Sequence, residues 1–238
     1  MKLYGKNSVI ERLRTNPKSI RQVFIQESHP EISYISKKAR KWGIPFSIVP
    51  KTKILKLARN TNTQGILVEI EDFPYVLYSD LLELALKKHK TLVFLDNLND
   101  PQNLGAIMRT LACLGQFAVV LPTHDSVEVT ETVLRVASGG DNYVPVAKVA
   151  NLSQAIRKAK EEGFFIVGAV VREGQKLTET QFPWPLGLVV GSEQRGIRDV
   201  ILKVLDLQVS IPMAVDRMSF NVAQAMTILA YEISKQRK

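Results

Sequence analysis

Three polar stretches of this 238-residue chain carry side chains able to bind and to catalyse, and each follows an apolar run. The first, DNLNDPQNLGAIMRT at 96–110, supplies amides, carboxylates and an arginine. Asparagine and aspartate at such a place ordinarily make turns and helix caps. Arg109 falls inside the helical pattern that follows, where capping does not account for it. The second, GSEQRGI at 191–197, brackets Glu193 between Gly191 and Gly196. The glycine spacing is that of a phosphate-binding P-loop, but that loop needs lysine and then serine or threonine. Ile197 and Arg198 stand there instead, and Glu193 would repel phosphate. Two glycines around a carboxylate better suit close backbone approach to a neutral or cationic ligand. The third, IPMAVDRMSFNVAQA at 211–225, carries Ser219 and Asn221, both of them also good helix caps.

The elements that must position these groups change character along the chain. Residues 1–70 read as a small α/β unit, with helices over 8–14 and 31–42 and strands at 22–26, 46–49 and 65–70. The stretch EDFPYVLYSD at 71–80 contains a proline and no clear period, and reads as a linker. From there on, strands alternate with helices, the mark of a mostly parallel sheet. Strands fall at 91–95, 117–121, 164–169 and 186–190; helices at 104–114, 130–138, 152–162 and from about 221. In open sheets of this kind ligands bind beyond the carboxyl ends of the strands, where the three polar stretches lie.

Charge divides the chain at the same boundary. Residues 1–70 hold 14 Lys/Arg against 4 Asp/Glu, whereas 71–238 hold 18 against 19. A solvated basic face is the ordinary meaning of a charge run. An asymmetry this complete points to a polyanion, most simply nucleic acid. No apolar run reaches the roughly 20 residues of a membrane helix, and the first residues lack a signal-peptide core. The lone Cys113 precludes an internal disulfide, so a reduced, cytoplasmic protein is expected, with no membrane partner. Three scattered histidines and one cysteine provide no zinc site. No Gly-x-Gly-x-x-Gly follows a strand, which removes dinucleotide binding.

Together the three stretches resemble the three motifs of the SpoU/TrmH family of RNA 2′-O-ribose methyltransferases. The resemblance rests on NLGAIMRT at 103–110, GSEQRGI at 191–197 and IPM…SFNV at 211–222, in that order. ASGG at 137–140, VPV at 144–146 and NL at 151–152 extend it over about 90–235. YGKNSVIE at 4–11 and QGILV at 64–68 resemble the accessory RNA-holding domain of members acting on ribosomal RNA. Gln194, Phe220, Ala223 and Gly140 depart from the family pattern, and none replaces a residue expected to do chemistry.

The resemblance implies a basic α/β RNA-binding domain at 1–70, a linker at 71–80 and a trefoil-knotted α/β methyltransferase domain at 81–238. It further implies a homodimer, S-adenosylmethionine as cofactor, no metal, and RNA, above all ribosomal RNA, as substrate. Transfer RNA, or an RNA-binding protein without catalysis, are the alternatives. Arg109 would activate the 2′-hydroxyl, or clamp the adjacent phosphate and stabilise the developing alkoxide; an ordinary guanidinium stays protonated, so both roles stand open. Asn103, Glu193, Ser219 and Asn221 would orient ribose, phosphate and Arg109. Gly191, Ile211 and Phe220 would bind the cofactor, the glycine by admitting it to the backbone and the apolar pair by flanking adenine. The apolar stripe of the last helix (Val222, Met226, Leu229, Ile233) would face either a second subunit or its own core.

Overall fold

The first third of the chain alternates short strands with helices: β1 (Lys2–Tyr4), α1 (Lys6–Thr15), β2 (Ile20–Gln26), α2 (Ile32–Lys41), β3 (Phe46–Val49), α3 (Lys51–Leu57) and β4 (Ile66–Ile70). The computed structural model describes residues 1–58, 62–215 and 217–237. The strands form one sheet in the order β1-β4-β2-β3, with β2 and β3 parallel and the other pairs antiparallel. Alternation along β2 sends Val23 and Ile25 into the main core and Phe24 to the other face, against Val49, Ile54 and Leu67. β1 and α3 were not legible in the sequence, being a three-residue strand and a helix with only three apolar residues.

The second part runs α4 (Tyr78–Lys87), β5 (Thr91–Asp96), α5 (Pro101–Leu114), β6 (Phe117–Pro122), α6 (Glu131–Ala137), β7 (Val146–Val149), α7 (Leu152–Glu161) and β8 (Phe165–Ala169). It continues through β9 (Gln175–Lys176), β10 (Leu186–Gly191), α8 (Asp199–Leu202), β11 (Leu207–Ser210) and α9 (Val222–Gln236). Its seven strands take the order β7-β6-β5-β10-β8-β11-β9, and every neighbouring pair is parallel. Helices cover both faces, which is why β5, β6 and β10 are near-continuous apolar runs rather than alternating ones. The chain leaves β5 toward β6 on one side and β10 lies on the other. The β5–β10 gap is therefore the crevice beyond the carboxyl ends where such sheets bind ligands. Register aligns Gly191 with Asp96 across it.

The two sheets share a continuous core and a polar seam. Arg12 of α1 and Asp141, in the turn after α6, form an ion pair with side-chain exposures of 4% and 1%. Burial pushes the Asp141 carboxyl up and the Arg12 guanidinium down, against their mutual attraction. Desolvation thus outweighs pairing, as buried ion pairs commonly show. Residues 71–77 are not a free tether. Val76 donates to the Val146 carbonyl at 3.0 Å, and the Tyr75 hydroxyl accepts from the Val129 N–H at 2.8 Å. α4 begins at Tyr78, inside the stretch whose sequence reads as linker. The final helix answers the question its stripe raised: Val222, Met226, Leu229 and Ile233 are buried in their own chain. Among the described residues no helix is long and apolar enough to cross a membrane.

Arg12→Ala would strand Asp141 in the seam and should cost about 3–5 kcal/mol in urea denaturation. Arg12→Met with Asp141→Leu should recover most of that loss. An Arg12→Ala protein of unchanged stability would show the pair to be dispensable.

Candidate active site

β5 ends on Asp96, the one charged residue of TLVFLD, and it is fully buried. Its carboxylate accepts the Arg198 backbone N–H at 2.9 Å and the Arg198 Nε at 2.8 Å, with a second guanidinium nitrogen at 2.7 Å. The loop leaving β10 is thereby fastened to the end of β5. Sequence reasoning gave neither residue a role. The available signal was an aspartate closing an apolar strand, with an arginine just after the glycine loop; only strand adjacency joins them.

Between Gly191 and Arg198 the chain folds back on itself. The Gly196 N–H donates to the Ser192 carbonyl at 2.9 Å, the Arg195 N–H to the Ser192 hydroxyl at 3.3 Å, and Gly196 has φ +65°. A Cβ on Gly191 would overlap the Gly196 and Ile197 backbone. The sequence reads Gly191 as a glycine that admits a ligand to the backbone. It lines the cavity, but its missing side chain is demanded first by its own loop.

The tight loop presents Glu193 to the other two polar stretches. Its Oε1 accepts from Asn103 Nδ2 at 2.9 Å, from Asn221 Nδ2 at 2.8 Å and from the Val222 N–H at 3.3 Å. Asn221 Nδ2 also donates to Asn103 Oδ1 at 3.0 Å, closing a triangle of side chains. Asn103 is buried in the first turns of α5, behind an Asp100 cap that accepts from the Gln102 N–H. Asn221 is at once the cap of α9, its Oδ1 accepting from the Ala223 N–H at 2.9 Å, and a member of the triangle. Asn221 thus makes the helix cap and the side-chain contacts with Glu193 and Asn103 at once.

Beside the triangle lies a cavity of about 280 Å³, lined among others by Val170, Val190, Gly191, Ile211, Phe220 and Leu229. Gly191, Ile211 and Phe220 thus fall together on one cavity. Ser219 also lines it, with no hydrogen bond of its own among the described residues. Arg109 does not join them. It is exposed on α5 and lines a separate groove with Thr110, Cys113, Leu114, Thr227, Ile228 and Tyr231. Six residues beyond Asn103, it projects about 120° away around the helix.

The arrangement is an apolar slot closed at one end by a hydrogen-bonded carboxylate, at the switch point of a parallel sheet. Residues 90–231 match the model of the SpoU rRNA methylase family, and residues 2–76 match a domain described as RNA 2′-O ribose methyltransferase substrate binding. The chain belongs to the SpoU family of RNA-methylating enzymes. It is 31% identical over 236 residues to YacO of Bacillus subtilis, named for the TrmH family of tRNA/rRNA methyltransferases, covering 98% of this chain and 94% of that one. The AdoMet-bound rRNA methyltransferase of Sinorhizobium meliloti shares the fold, with a TM-score of 0.83, 22% identity, and coverage of 100% of this chain and 87% of that one. The TrmH/SpoU tRNA modifying enzyme of A. aeolicus aligns with a TM-score of 0.55 and 29% identity, over 67% of this chain and 82% of its own.

Two glycine substitutions separate loop folding from ligand contact. Gly191→Ala should cost about 1–3 kcal/mol of stability with no ligand present, because the added carbon has nowhere to go. Gly196→Ala meets open space and should lose only about 1–2 kcal/mol to its left-handed backbone. Urea denaturation of both variants checks this; a Gly191→Ala protein as stable as the parent would return that glycine to ligand approach.

Proposed function

We propose that this protein transfers a methyl group from S-adenosylmethionine to a ribose 2′-hydroxyl of RNA, with ribosomal RNA as the substrate class. The observation that carries the reading is the Asn103–Glu193–Asn221 triangle at the end of an apolar cavity, in a chain of this family. The cavity suits the cofactor chemically. Aliphatic walls and Phe220 match a flat adenine, and the Glu193 carboxylate matches a cationic sulfonium. When bound, the cofactor supplies an activated methyl group. Ribosomal RNA is favoured because the rRNA enzyme aligns over the whole chain, whereas the tRNA enzyme aligns over two thirds of it.

The protein's own groups must align a poor nucleophile and help it lose a proton. Asn103 and Asn221, each held by Glu193, keep a fixed orientation beside the slot. Ser219 adds a free hydroxyl at the cavity. Arg109 serves either as phosphate clamp and alkoxide stabiliser or as the group that draws off the proton. Its own chain does not bring it to the triangle. The groove it lines is largely apolar, with Tyr231 62% exposed, which favours a homodimer closed through α5 and α9. With that face paired, Arg109 would serve the partner's cavity. Residues 1–70 would capture RNA, 71–80 would connect, and 81–238, with the trefoil knot the family implies, would hold the cofactor and act on ribose.

Incubating the protein with methyl-labelled cofactor and ribosomal RNA should place label on a ribose, making the adjacent phosphodiester resistant to alkali. Label on a base, or none on any RNA, would overturn the proposal. Arg109→Ala should abolish transfer and leave cofactor affinity within about threefold, and Arg109→Lys should rescue little, since a point charge lacks planar two-point contact. Equal mixtures of inactive Arg109→Ala and Asn103→Ala chains should regain about a quarter of parental activity if the site is shared in a two-fold dimer. No recovery in freely exchanging dimers would confine Arg109 to its own chain.

A further inference from the structure

The segment 32–68 contains eight Lys/Arg and not one Asp/Glu. Seven of those cations lie within the described residues, on α2 and α3, and none forms an ion pair among them. Elsewhere in the N-terminal unit Lys6 pairs with Glu31 and Arg12 with Asp141, whereas Arg14, Lys18 and Arg21 also form no ion pair among the described residues. On α2, Ile35 and Ala39 are buried, while Tyr34, Lys37, Lys38 and Lys41 recur at helical spacing on the outer face. Trp42 caps the helix with 46% of its surface exposed, and Tyr34 is 38% exposed. Lys38 lies 5.7 Å from the Tyr34 ring and Lys41 5.9 Å from that of Trp42.

The sheet order says where this surface points. β1 is one edge and packs against α6 of the larger unit; β3, which follows α2, is the other. Three strand spacings of about 4.8 Å separate the two edges. β3 has no further strand beside it among the described residues, and its Ile48 is 49% exposed.

We propose that the outer face of α2 with Trp42 is a docking surface for an unpaired RNA segment, remote from the methylated nucleotide. Cations without partners call for a polyanion, and exposed rings beside them call for planar groups that can stack. Duplex RNA offers backbone and a shallow groove but keeps its bases stacked on one another; only unpaired bases can lie on Tyr34 and Trp42. A base on either ring brings its phosphates to Lys37, Lys38 and Lys41. This deepens the reading of residues 1–70 as the RNA-capturing unit and rests on it. The substrate would therefore be an RNA large enough to present an unpaired stretch well away from the target ribose.

The chain has two tryptophans, so Trp184→Phe leaves Trp42 as the sole indole reporter in the full-length protein. An unpaired oligoadenylate should quench its fluorescence saturably, and a duplex of equal length should quench it little. Tyr34→Ala with Trp42→Ala should weaken binding of the unpaired oligomer by about tenfold or more, with the salt slope retained. Lys37→Gln with Lys41→Gln should instead flatten that slope by about 1.4 log units per log of salt. With ribosomal RNA at saturation, the aromatic variant should keep its kcat while KM rises. Absence of quenching, or unchanged affinity in the aromatic variant, would overturn the proposal, as would equal quenching by the duplex. If quenching holds while no methyl transfer occurs, the surface stands and the proposed reaction falls.

Discussion

A single carboxylate oxygen holds the site together. Glu193 Oε1 takes hydrogen bonds from Asn103 on α5, from Asn221, 118 positions further along the chain, and from the first N–H of α9. Charge-assisted hydrogen bonds are stronger than neutral ones, and here one acceptor takes three donors. Remove the charge and the two amides keep only each other and the cap of α9. It ties together the first turns of two helices that also pack through the core, and the cavity lies beside that cluster.

Glu193 can act so only because its loop is stiff. Gly191 lets the chain fold on itself, Gly196 takes the left-handed turn, and Arg198 is fixed from both backbone and side chain by the buried Asp96. Asp96 in turn is tolerated at full burial because both oxygens are engaged by a cation and an N–H. Support runs outward from the site: carboxylate, loop, arginine, strand end. The parallel sheet supplies the geometry, since only neighbouring strands β5 and β10 could bring Asp96 and Gly191 into register.

Much of this was legible in the sequence where a local rule governs. β3 needed only an apolar run bounded by proline, and α2 a stripe ended by a positive-φ glycine, Gly43. The polar triangle was legible as residue types in motif order, and the structure brings Asn103, Glu193 and Asn221 within hydrogen-bonding distance. What failed was long-range. β7 and β11 are four-residue strands made regular by their neighbours, and no local period announces them. The role of Gly191 depends on where its own loop returns. The buried Arg12 reads as one more basic residue until Asp141, 129 positions on, comes to meet it. Arg109 is the instructive case: its place in a helix was readable, but the face of that helix it occupies has no meaning until α9 packs alongside.

The seam between the two units explains why a division into capture and chemistry need not mean loose attachment. The two glycines of the turn at 139–141 are packed tightly between α1 and α5. A Cβ on Gly139 would come within 2.6 Å of the Glu11 Cβ, and one on Gly140 within 3.0 Å of the Arg109 Cα. Asp141, the next residue, is the one Arg12 holds. The basic unit therefore rests, through three consecutive residues, on the backbone of the helix that carries Arg109. Packed interiors transmit displacement because they have little room to absorb it. A net-basic unit with unpaired cations at its far edge and a zero-clearance contact at its near edge can collect RNA at one end and still hold the other in register with the site.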